Sequence, residues 1–172
     1  GLPEDVKVTF EGPGNFTYVE NYSITVGGRK LYPGEYFVDA QGKLFRSGSC
    51  GEEAEWRLSE DGTLTISGQG AMYDYSSYDT DKAAPWVSFD LSIEKIVVEE
   101  GITSIGSYAF YNTYNDYTNL KDVEIAGSVV NINEHAFYRI KNLDTVEFQE
   151  PSGLKEIGDS AFSSSGLTEI EI

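Results

Sequence analysis

Apolar residues recur at fixed offsets through the second half of the chain. One run reads Ile93, Ile96, Val98, Ile102, Ile105, Gly106, Ala109, Phe110, and the next Leu120, Val123, Ile125, Val129, Ile132, Asn133, Ala136, Phe137. A third has Leu143, Val146 and Phe148, then Leu154, Ile157, Gly158, Ala161 and Phe162, and a fourth starts at Leu167, Ile170 and Ile172. The copies begin 23 to 27 residues apart, a period too short for a helical pair and suited to one coil of a solenoid. Surplus residues fall at 111–119 and around Pro151-Ser152-Gly153, where loops accept them. Within a copy, apolar positions two apart predict a short strand burying alternate side chains. The pair three apart (Val129 and Ile132) predicts extended chain entering a bend. Gly106, Asn133 and Gly158 are residue types that tolerate a left-handed backbone, and one is expected there. Ala-Phe closes each coil, and Phe110, Phe137 and Phe162 are expected to stack as one internal column. No coil covers its own apolar side, but stacked coils cover one another.

Written as a pattern, each copy is Leu-x-x-Val-x-Ile-x-x-x-Val-x-x-Ile-Gly-x-x-Ala-Phe, which resembles the BspA-like class of leucine-rich repeats. Residues 93–172 carry the likeness most clearly. It extends back to about Ser47 through Trp56-Arg57-Leu58, Asp61-Gly62-Thr63-Leu64-Thr65-Ile66 and Ala84-Pro85-Trp86, a stretch similar to what precedes such arrays. The resemblance implies a mainly β chain with short helical turns: a short right-handed leucine-rich-repeat solenoid with a parallel sheet. It further implies a bacterial protein, secreted or at the cell surface, used for adhesion or host contact. Many copies in that class place a cysteine after Ala-Phe, and this chain has none there.

Three segments are expected: a small β-rich module over 1–46, an N-terminal cap over 47–92 and the repeats over 93–172. In the cap, Trp56 and Leu58 followed by Leu64 and Ile66 alternate about an Asp61-Gly62 turn, which predicts a β-hairpin. Gly68, Gly70 and residues 73–82 are expected to form a polar loop before Pro85-Trp86 returns to the core. In the first module, strands are expected at Val6–Phe10, Phe16–Val19, Ser23–Val26 and Glu35–Val38, separated by Gly- and Pro-rich turns.

Charge narrows the function classes. Among 172 residues, 12 basic side chains against 29 acidic ones leave a net charge of −17, which argues against nucleic acid and anionic lipid as partners. No apolar run approaches the ~18 to 20 residues of a membrane helix. A single histidine (His135) and a single cysteine (Cys50) leave no parts for a catalytic triad, a histidine-rich zinc site or an internal disulfide. Cys50 reads as a small buried hydrophobe and His135 as a surface or packing residue. Asp74, Asp79 and Asp81 carry oxygens for Ca²⁺, but their spacing departs from an EF-hand loop, and a solvated loop is the simpler reading. No catalytic residue, cofactor or metal ligand is assigned.

The resemblance implies non-catalytic binding or adhesion, with a host or bacterial surface protein as partner. A glycan- or cation-binding module and a structural spacer of a longer surface protein are the alternatives. Two sets of residues are candidates for contact. On the strands, alternation turns Lys95, Val97 and Glu99 outward in the first coil, Asp122, Glu124 and Ala126 in the second, and Thr145, Glu147 and Gln149 in the third. Glu169 and Glu171 extend the face, and Glu124, Glu147 and Glu171 are expected to form a column of like charge. In the loops, Tyr73, Tyr75 and Tyr78, then Tyr111, Tyr114 and Tyr117, have the area and polar tip that favour interfaces. The last segment, Leu167–Ile172, is expected to be an edge strand guarded by its glutamates, which favours a monomer.

Overall fold

The computed structural model describes residues 6–10, 24–26, 29–31, 34–87, 93–112 and 119–170. The strands in chain order are β1 (Val6–Phe10), β2 (Ile24–Val26), β3 (Arg29–Leu31), β4 (Gly34–Val38), β5 (Leu44–Ser49), β6 (Gly51–Ser59) and β7 (Thr63–Met72). They continue with β8 (Lys95–Val98), β9 (Ile102–Ile105), β10 (Asp122–Ile125), β11 (Asn131–Ile132), β12 (Thr145–Phe148) and β13 (Glu156–Ile157), and a 3-10 turn covers Thr80–Lys82. The alternation that predicts each repeat strand buries Ile96 and Val98 in β8 and Val123 and Ile125 in β10.

One sheet runs β1-β4-β5-β6-β7-β8-β10-β12. It is antiparallel up to β7 and parallel from β7 onward. The second strands of the coils, β9, β11 and β13, form a parallel layer of their own, which the end of β7 joins by pairing with β9. β2 and β3 make a separate hairpin. The predicted cap hairpin is present, with Trp56 opposite Ile66 and Leu58 opposite Leu64, and the turn closed by Gly62 at φ 82°. Ahead of it, β4 and β5 pair with each other around the turn at 39–43, and β5 pairs onward with β6. Phe37 stacks on Phe45 at 5.5 Å, and the Arg57 guanidinium lies 3.7 Å over Phe45 while pairing with Asp39 at 3.1 Å. The strand expected at 16–19 lies outside the described residues.

Between the two strand layers lies an aromatic column. Phe110 stacks on Phe137 at 5.0 Å and Phe137 on Phe162 at 5.1 Å, as the repeat predicts. Trp86 extends it by stacking on Phe110 at 5.4 Å, and its indole N–H donates to the Ala109 carbonyl at 2.8 Å. Trp56 and Tyr75 close the cap side with edges against Trp86, at 6.0 and 5.6 Å. Backbone bonds tie successive turns: the Phe110 and Phe137 N–H groups donate to Ala136 and Ala161 carbonyls, each at 2.8 Å.

Three expectations are corrected. Gly68 and Gly70 do not leave the strand; they bend it. Their φ values of 104° and 84° turn β7 around a corner, so residues 63–66 pair with β8 while Gly70 pairs opposite Ile102 of β9. The left-handed positions are not Gly106, Asn133 and Gly158 but Tyr108, His135 and Ser160, two residues further on, at φ 55°, 55° and 54°. The glycine at 106 serves close approach instead: a Cβ there would lie 1.9 Å from the Tyr73 carbonyl oxygen. Finally, residues 167–170 form no strand. Among the described residues the edge of the main sheet on the repeat side is β12.

Candidate functional site

The strand face is built by register. Parallel pairing puts Lys95 opposite Asp122 and Asp122 opposite Thr145, and puts Val97 opposite Glu124 and Glu124 opposite Glu147. Neighbouring strands lie about 4.8 Å apart, so these six side chains form a close grid. Thr145 and Glu147 are exposed, as are Asp122 and the corner residue Glu99, while Lys95, Val97 and Glu124 are half-buried. Thr63 and Thr65 of β7 continue the two rows, opposite Lys95 and Val97. Sequence reading missed these two, although the Leu64/Ile66 alternation already implied their outward direction.

Glu124 and Glu147 are adjacent, as the like-charge column requires. The compensating cation is internal: the Lys95 ammonium donates to the Glu124 carboxylate. That hydrogen bond raises the Lys95 pKa, and the charges of Glu124, Asp122 and Glu147 add to it. Asp122 accepts the Thr145 hydroxyl at 2.5 Å. Asp122 and Glu147 are the exposed carboxylates of the grid. Ala126 departs from the expected face. β10 ends at Ile125, the Ala126 N–H donates to the Val98 carbonyl and the chain turns, which leaves Ala126 buried at 3% exposure. Glu169 is exposed but outside any strand, and Glu171 lies outside the described residues.

The described tyrosines do not join this face. Tyr73 and Tyr78 are exposed, at 48% and 94%, in a loop docked on the turn that follows β9. There the Tyr75 N–H donates to the Ser107 carbonyl, and the Asp74 carboxylate accepts the Ser107 N–H at 2.7 Å and the Asn133 amide at 3.0 Å. The Ser107 bond is the main cause of a lowered Asp74 pKa, with the Asn133 bond adding to it. Tyr75 belongs to the core rather than to a surface: its ring abuts Trp86 and its buried hydroxyl has no partner, and burial pushes its pKa up. Tyr111 is half-buried against Tyr138, and Tyr114 and Tyr117 lie outside the described residues.

Other chemical candidates are accounted for by packing. Asp74 is committed to the docking of its loop. Asp79 accepts the Asp81 N–H at 3.1 Å and lies 3.9 Å from the Lys82 ammonium. Among the described residues no His, Cys, Asp and Glu side chains converge in a group able to hold a metal ion. Cys50 is fully buried, and desolvation pushes its thiol pKa up to about 12, which leaves it unreactive at neutral pH.

No curated protein matches the chain. A crystal structure of a leucine-rich repeat protein from Eubacterium ventriosum does, with 32% identity and a TM-score of 0.60. The match covers 70% of this chain and 30% of that one, so the chain spans about a third of the length of the protein it resembles. The family described as BspA type leucine rich repeat region (6 copies) matches residues 88–172. The in-register coils, the phenylalanine column and both comparisons agree: through residues 88–172 the chain belongs to the BspA-type leucine-rich-repeat family.

Proposed function

We propose that the chain is a non-catalytic binding module of a secreted or cell-surface bacterial protein, and that it engages another protein through the strand face. The supporting observation is the grid formed by Lys95, Val97, Asp122, Glu124, Thr145 and Glu147, held in register by parallel pairing. Polar and charged side chains rooted at backbone-fixed positions, with Lys95 already bonded to Glu124 and Thr145 to Asp122, offer partly preorganised contacts, which reduces the ordering cost of association. Its excess of carboxylates selects partners that present basic side chains and raises their encounter rate. Glu99 borders the grid at the corner after β8; Glu169 and the exposed Tyr73 and Tyr78 lie outside the grid.

The test is binding of labelled chain to target cells, before and after the cells are shaved with protease or with glycosidases. Protease is expected to abolish binding and glycosidases to leave it. Reversal of the grid's charge in Asp122→Lys/Glu147→Lys is expected to weaken binding about tenfold or more. Loss of binding after glycosidase alone would favour a glycan partner. Full binding by the reversed variant would remove the strand face as the site.

A further inference from the structure

The left-handed turn positions carry a second surface, on a different segment of the coil from the grid. Tyr108 and His135 occupy equivalent positions of successive coils, and their rings stack at 4.9 Å with planes 2° apart. Three residues later, Tyr111 and Tyr138 repeat the arrangement at 5.6 Å and 4°. The columns meet edge to face, Tyr108 with Tyr111 at 5.5 Å and His135 with Tyr138 at 5.1 Å. All four rings are half-buried, so each keeps accessible area. The third coil ends both columns with small residues, Ser160 and Ser163, in the equivalent places. Where the first coil presents a ring to the second, the third presents a hydroxymethyl group.

Two carboxylates stand beside the rings. Glu134 and Asp159 directly precede His135 and Ser160, and their carbonyls accept the Tyr108 and His135 N–H groups at 3.1 and 3.0 Å. Both side chains are exposed, and among the described residues neither pairs with a cation. The Tyr108 hydroxyl pKa is raised, first by burial and then by Glu134, with Asp159 contributing. The ring faces also show what they accept: the protein's own Arg139 guanidinium lies 5.4 Å from the Tyr138 ring centre. Half-buried aromatic rings flanked by carboxylates, on a chain of net charge −17, match a cation that is also planar and weakly hydrated.

We infer that the Tyr108–His135 and Tyr111–Tyr138 ladder is a docking site for arginine side chains of a basic segment in a partner protein, with Glu134 and Asp159 as its anionic rim. Arginine supplies a flat face for the rings and donors for the carboxylates at once. The site does not depend on the strand grid, and either surface functions without the other.

The probe is a short fluorescent peptide of alternating glycine and arginine, titrated at physiological salt. The variant is His135→Ser/Tyr138→Ser, which gives the second coil the residues the third already carries and alters no Lys, Arg, Asp or Glu. It is expected to bind the peptide about tenfold more weakly than the native chain. A peptide with citrulline in place of arginine, neutral but of similar shape, is expected not to bind. Equal affinity of native chain and variant would reduce the attraction to undirected charge and overturn the site. Equal binding of the citrulline peptide would overturn the cation. Binding of a neutral oligosaccharide that the double variant loses, with no arginine-peptide effect, would reassign the ladder to sugar. Melting curves check the fold, and His135→Ser alone supplies the same comparison if the double variant melts early.

Discussion

Asp74 shows how much one side chain arranges here. Its carboxylate accepts a backbone N–H from the first coil and a side-chain amide from the second, so the loop is pinned across two repeats. Those bonds hold its pKa below the usual aspartate range. A carboxylate depressed in the folded state stabilises the fold above its unfolded pKa, about 3.9, and that contribution is lost as pH falls through the lower folded value. Asp74→Asn is therefore expected to lower the melting temperature at pH 7. The gap between variant and native chain should narrow as the pH falls below that unfolded value; a gap constant through that fall would mean that charge at Asp74 is irrelevant. Residue identity alone was less informative at the turns. Glycine at 106 and 158 suggested a left-handed backbone because close approach and positive φ select the same residue type. The strained φ falls instead on Tyr108, His135 and Ser160, where nothing in the residue type announces it. The aromatic ladder was legible in principle, because the 27-residue offset superposes 108 on 135 and 111 on 138.

Among the elements, the column of rings sets the ranking of stability. Phe110 and Phe137 have no exposed area, whereas Phe162 is half-buried at the end of the column. Truncation of a fully buried phenylalanine costs about 3–5 kcal/mol, against a domain total of about 5–15 kcal/mol. Phe137→Ala, with a ring lost between two others, is expected to depress the melting temperature clearly more than Phe162→Ala. Equal losses by calorimetry would contradict the column as a shared support. The repeat strands were readable because burial on one side imposes strict alternation, and the phenylalanines because each recurs at one offset. β7 was read only as far as Ile66. Its two glycines look like a loop, yet they let one strand serve both layers. β5 was missed since Arg46-Ser47-Gly48-Ser49 lacks an apolar period, its strand being set by pairing with β6.

Across the whole molecule, burial declines along the stack. Ile96, Ile125 and Leu120 are fully buried, but Val146, Phe148, Leu154, Phe162 and Leu167 are only partly covered. Amide exchange should follow that gradient: protection greatest in β7, β8 and β10, with β12 and β13 exchanging roughly tenfold faster or more through local opening. Uniform protection across the coils would indicate that the chain opens as a single cooperative unit. The same geometry has a further consequence at β7, where antiparallel pairing gives way to parallel. Its hairpin with β6 is a local structure, closed by a short turn, and local contacts form at little loop-closure cost. Every later coil copies its alignment from the coil before, and the first copies from β7. The hairpin is in that sense a seed crystal: a slip of one residue over Thr63–Ile66 would be inherited by β8, β10 and β12 alike, and each would turn its isoleucines and valines to water.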